Sequence, residues 1–307
     1  MNHRLNIFGY LYLGGLDPEY ETSGSVGMQD LVQALQWVRD NITALGGDPA
    51  KVTIMGESGG GAKVCNLMSM PSAKGLFRSA IVESGAGAVG NLSKEAAEMQ
   101  TLRLLDKLGI GRKDWRKLLE LDAAEMGVFM PLQQLAEEIT WENLPGKVAS
   151  QGGGLSLEQA EKIVGVYRAN NPKGDAPWHT FIKIVSTRGS LGNGAGQLAM
   201  ARASKDGFAP VYQYFVEYDS ESVVSPSLRC AWHTADLPLQ FRVVLHPESE
   251  TLSKAMAHAW ASFVRSGNPS TDHLDWRSFT PLNRNVMVFD DELLLKDDPL
   301  APYREAL

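Results

Sequence analysis

Only two cysteines, Cys65 and Cys230, occur in 307 residues, too few for a disulfide framework. Cys65 reads as a small buried thiol. No zinc-type spacing of cysteine and histidine is present, so no metal site is expected. No apolar run reaches the roughly 20 residues that span a bilayer, so no membrane partner is expected. The stretch from Met1 to Leu11 lacks a long apolar segment and a small-residue cleavage site. A signal peptide is therefore not expected, and a cytoplasmic location is the default. Basic stretches are missing as well. With 29 Lys and Arg against 36 Asp and Glu, the net charge is −7, which argues against a nucleic-acid partner. Repeats, low-complexity tracts and linker-like segments are absent, so one domain over residues 1–307 is the simplest organisation.

What remains is an ordinary globular composition, 44% hydrophobic and 21% charged, in an alternation of strand and helix signals. Leu5–Leu13 reads as a strand and turn. From Met28 to Leu45, Leu31, Ala34, Leu35, Val38 and Ile42 repeat at helical spacing, and Gly46-Gly47-Asp48-Pro49 stops them. Val52–Met55 is a short β-branched strand, the segment from Gly61 onward a helix, and Phe77–Glu83 the next strand. Ser93 to Ala136 reads as helical, as do Leu157–Tyr167, Gly194–Lys205 and Ala255–Val264. Val211–Val216 and Val286–Phe289 read as late strands. This order predicts an α/β fold with a mostly parallel sheet flanked by helices.

Between the strand at Val52–Met55 and its helix stands Gly56-Glu57-Ser58-Gly59-Gly60. Strand, G-x-S-x-G, helix is the arrangement that exposes a nucleophilic serine on a sharp turn, as in α/β-hydrolases. The glycines on either side of Ser58 are expected to let the strand and helix backbones approach closely. The N–H of Gly59, the residue after the nucleophile, is then an oxyanion donor.

Several blocks together resemble type-B carboxylesterases, the group of bacterial p-nitrobenzyl esterases and cholinesterases. They are Asn2–Gly9, Gly27–Asp30, Trp37–Ile42, Gly46–Pro49, Val52–Gly60, His233–Phe241, Trp260–Phe263 and Gly267–Pro269. The likeness is loose between about Leu121 and Asp175. It implies a serine hydrolase acting through an acyl-enzyme on small to medium carboxylic esters, with no cofactor. His233, which follows a strand and a loop, matches the family's catalytic-histidine segment. The acid should lie between Ser58 and His233, and the resemblance points to Glu138 in the pair Glu137-Glu138, with Glu137 left open.

Family members are longer and start well before the equivalent of Asn2. The resemblance therefore implies that the first strands are lacking, together with a His-Gly-Gly loop that supplies two oxyanion donors. Gly14-Gly15 is a weak replacement, and Gly152-Gly153-Gly154 reads as a flexible loop. The strand at Val52–Met55 would also expose one edge, so a homo-oligomer or complementing chain is expected there, or a rearranged sheet. Glu57 and Asp30 are expected to be structural carboxylates with a cationic or hydrogen-bonding partner. Two other readings stay open: a catalytically weak or inactive binding module, and a serine peptidase on the same fold.

Overall fold

The computed structural model describes residues 1–86, 92–121, 139–151, 155–170, 176–205, 207, 209–221 and 229–306. Along the chain, α1 (Asn6–Tyr10) and α2 (Val26–Asn41) lead to β1 (Thr53–Glu57), α3 (Gly59–Ser69) and β2 (Ser79–Glu83). Helices α4 (Lys94–Lys107), α5 (Leu144–Gln151), α6 (Leu157–Ala169), α7 (Pro177–Asn193) and α8 (Ala195–Ala203) follow. Then come β3 (Gln213–Val216), β4 (Ser220–Glu221), β5 (Arg229–Cys230), α9 (Asp236–Gln240) and α10 (Glu250–Ser266). β6 (Asn285–Phe289), β7 (Leu293–Asp297) and α11 (Ala301–Ala306) complete the order.

Two compact units divide the chain. The first takes Met1–Val52, Asn66–Arg78 and Gly90–Gln133. Its core gathers Leu13, Leu105, Trp115 and Leu118, with Tyr20 edge-on to Trp115 at 5.1 Å. Asp30 finds the partner expected of it: Arg4 donates to it from Nε at 2.9 Å and from its backbone N–H at 3.0 Å. Those bonds hold the Asp30 carboxyl down at about 2.

Leu5–Leu13, expected as a strand, contains α1 instead. Short apolar runs fit either element by pattern, and among the described residues this unit offers no strand to pair with. The backbone satisfies itself locally: Gly9 N–H donates to Leu5 O at 3.1 Å and Leu11 N–H to Ile7 O at 3.1 Å.

The second unit takes Thr53–Cys65, Ser79–Val89 and Gln134–Leu307. β1 and β2 are parallel, and Glu57 stands opposite Glu83 in the register. β6 pairs parallel with β3 on one side and antiparallel with β7 on the other. β4 and β5 form a short antiparallel pair. The parallel pairings β1–β2 and β3–β6 match the sequence reading, while β7 and the helices α5 and α7 were not anticipated. Among the described residues no strand precedes β1 and its only partner is β2, so its other edge is open.

Behind the strands, α10 presents Met256, Ala259 and Trp260 at helical spacing to a core that includes Tyr218, Leu239, Trp276, Met287 and Phe289. Gly267 ends that helix at φ +79°, and its N–H donates to Phe263 O at 2.7 Å. A second core forms from α5, α6, α7 and α11 around Leu144, Ile163, Tyr167, Ile184 and Tyr303. No described helix is long and apolar enough to cross a membrane.

Candidate active site

Ser58 is the single residue between the end of β1 and the start of α3. To reverse direction in one step its backbone adopts φ +55°, a left-handed conformation that costs a non-glycine residue on the order of 1–3 kcal/mol. Hydrogen bonds hold it there: Ser58 N–H donates to Glu83 O at 2.8 Å, and Ser58 O accepts Ala62 N–H at 3.0 Å. Gly59 opens α3, and among the described residues its N–H has no backbone acceptor. That orphan donor at a helix N-terminus suits a developing negative charge.

Close approach is needed at Gly56, where a Cβ would lie 2.4 Å from Gly60 C and 2.9 Å from Gly61 N. Gly60 is different: a Cβ there would meet nothing within 4 Å. The glycine that the packing requires after the serine is Gly61, whose Cβ would sit 2.7 Å from Glu83 O. This corrects the expectation from the motif, because the contact is made with β2 rather than with β1 alone. Gly56→Ala is expected to destabilise the protein by about 1–3 kcal/mol, since only backbone atoms could move aside. Gly60→Ala should be neutral or stabilising by up to about 1 kcal/mol. Urea unfolding of the two variants checks the contrast, and equal effects would refute it.

His233 follows β5 and precedes α9, beside Thr234 at φ +74°. For a β-branched residue that conformation is a marked outlier, of the kind that gathers at functional sites. The imidazole Nε2 lies 3.2 Å from Glu57 Oε1. This contact is coulombic rather than a formed hydrogen bond, because Glu57 Oε1 has no donor in hydrogen-bond geometry. His233 is thus brought beside the elbow, but its partner is the residue before Ser58 and not Ser58 Oγ. Trp232 stacks on Trp178 at 5.9 Å, next to the histidine.

Beneath the elbow lie three carboxyl groups. Glu83 is fully buried, and its Oε1 accepts Trp260 Nε1–H at 3.0 Å. Asp236, in the first turn of α9, accepts Gln240 Nε2–H at 2.9 Å and Tyr214 O–H at 3.3 Å on Oδ2. Trp260 stands 5.0 Å from the Tyr214 ring and 5.8 Å from Phe289, so one side of this cluster is aromatic. Burial pushes the Glu83 carboxyl up to about 7; the Trp260 hydrogen bond opposes the rise, Asp236 and Glu57 add to it, and Gln240 opposes it weakly. Burial also raises Glu57 and Asp236, and the neighbouring His233 pulls both back. Cys230 is inert by the same physics, its thiol pushed up to about 12 by burial.

Of the residues singled out from sequence, Ser58, Gly59 and His233 fall in this unit, the first two at the elbow itself. Glu137, Glu138 and Gly152-Gly153-Gly154 lie outside the described residues. Gly14 and Gly15 form a turn in the first unit, where a Cβ would meet Tyr12 or Glu98. The buried group of Glu83, Asp236, Gln240 and Trp260 was missed. Its one sequence signal is register: Glu57 and Glu83 are each the last residue of adjacent parallel strands.

The model of the carboxylesterase family matches residues 1–126 and 131–301. The chain belongs to that family. It is 27% identical over 371 residues to para-nitrobenzyl esterase of Bacillus subtilis, covering 100% of this chain and 72% of that protein. A medium-chain fatty acyl-CoA hydrolase precursor of Anas platyrhynchos is 27% identical, over 89% of this chain and 60% of its own length. Among solved structures, a carboxylesterase of Geobacillus stearothermophilus superposes with a TM-score of 0.80 at 28% identity, over 99% of this chain and 74% of that one. The carboxylesterase described here accordingly has the α/β-hydrolase fold and the chemistry of carboxylic-ester hydrolysis. Relatives named as esterases and hydrolases do not favour the reading of this carboxylesterase as an inactive binding module.

Proposed function

We propose that this carboxylesterase cleaves small to medium carboxylic esters through an acyl-enzyme on Ser58. The left-handed turn at Ser58, with His233 held against the adjacent Glu57, is the observation that carries the reading. Ser58 Oγ attacks the ester carbonyl carbon as its proton passes to His233. The bond to the alcohol oxygen then breaks, and the imidazolium returns the proton to that leaving oxygen. Water repeats the sequence on the acyl group, releasing the acid and free Ser58. Gly59 N–H holds the oxyanion. Glu138 is the acid assigned by the resemblance to fix the imidazole tautomer. For proton transfer, the His233 ring turns from Glu57 toward Ser58 Oγ, one residue away in sequence. An aryl fluorophosphonate should label Ser58, as read by peptide mass, and should leave Ser58→Ala unmodified. A folded sample that takes up no label would defeat the reading.

A second copy of the chain over the open edge of β1 belongs to the same proposal. Among the described residues no strand pairs along that edge, and Met55 on β1 is exposed. Light scattering should give at least a dimer mass, and a monomer at high protein concentration would count against it.

A further inference from the structure

Among the described residues, Glu83 Oε2, Glu57 Oε1 and Gln240 Oε1 are buried acceptors with no donor in strict hydrogen-bond geometry, although the Gln240 amide lies near enough to Glu83 to pull its carboxyl down. Glu57 and Glu83 are register partners on parallel strands, so their side chains leave the same face of the β1–β2 pair. Like charges placed opposite each other repel. Among the described residues, the groups that face Glu83 are Glu57 from β1, Tyr214 from β3, Asp236 and Gln240 from α9, and Trp260 from α10. None of these carries a positive charge. The nearby imidazole of His233 touches Glu57 instead and is 59% exposed, whereas Glu57 is 14% exposed.

We propose that Glu83 is held as the neutral carboxylic acid and serves as the positioning residue that leaves Glu57 charged opposite His233. A proton on Glu83 Oε2 supplies one donor to this acceptor-rich group. It also removes one of two facing negative charges, and the proton belongs on Glu83 because that carboxyl is the deepest and faces no cation among the described residues. Glu57, nearer solvent and touching the imidazole, keeps its charge. Once Glu83 ionises, the added negative charge strengthens the hold of this side on the imidazole already resting on Glu57 and opposes its turn toward Ser58. The proton's location does not depend on the esterase reading, whereas its consequence for turnover does.

Two measurements separate those claims. In protein labelled with ¹³C at glutamate Cδ, the Glu83 signal is identified by its loss in Glu83→Gln. It should stand at the neutral-acid position at about pH 5.5, moving to the carboxylate position no earlier than about pH 7. A carboxylate shift already at about pH 5.5 would overturn the proposal. For turnover, the ratio of kcat/KM for Glu83→Gln over wild type on p-nitrophenyl acetate should rise severalfold between about pH 6 and 8.5. A constant ratio would remove the positioning role. Wild type inactive toward every ester would sink the esterase reading and, with it, the positioning role, while leaving the carbon titration to decide the proton.

Discussion

Ser58→Ala is expected to lower kcat/KM on p-nitrophenyl acetate by about 10⁴- to 10⁶-fold, the largest effect of any single change in this chain. The variant loses the oxygen proposed to form the acyl bond, yet keeps the Gly59 N–H at the start of α3. A small residual rate above solution should therefore persist from oxyanion stabilisation alone. His233→Ala should cost nearly as much, because a neutral hydroxyl without a base is a poor nucleophile. The double variant should be little worse than either single one, since both groups act in one step. Additive losses, or a Ser58→Ala protein that retains most of its activity, would place the chemistry elsewhere.

The second large effect is on stability. Glu83 rises from 4.5 to about 7 in the folded chain, so the native state holds this proton more tightly than the unfolded chain does. The group's contribution is therefore complete below about pH 4.5 and is lost as pH climbs through about 7. A rise of that size corresponds to roughly 3 kcal/mol. Glu57 and Asp236 are raised too, so they push in the same direction. Glu83→Gln mimics the neutral acid at every pH. Relative to wild type, it should gain about 3 kcal/mol between about pH 4 and 8.5. Urea unfolding at the two pH values reads this directly. A wild-type stability that does not fall across the window, or a difference that stays constant, would contradict a buried acid at Glu83.

How much of this was readable beforehand differs between elements for physical reasons. The elbow was legible because its signal is local: a β-branched strand, G-x-S-x-G, and a helix occupy consecutive residues. Helix α10 was legible from its apolar spacing and its closing glycine, although it extends from Glu250 to Ser266, beyond the expected Ala255–Val264. α1 was misread because a short apolar run does not reveal whether a neighbouring strand exists. β7 was missed because its partner β6, not its own sequence, makes Leu293–Asp297 a strand. The role expected of Gly60 passed to Gly61, because the tightest contact came from the chain at Glu83 O rather than from the motif.

Sequence alone determined the α/β class, the serine on its turn and the helix N-terminus behind it. Each of these follows from residues within a few positions of one another, where backbone preference and spacing act directly. Only the tertiary structure decided that His233 rests on Glu57, and that Glu83, Asp236, Gln240 and Trp260 close around one another beneath it. Those groups lie on separate strands and helices, and their charge states depend on burial and mutual distance. Neither quantity exists until the chain has folded.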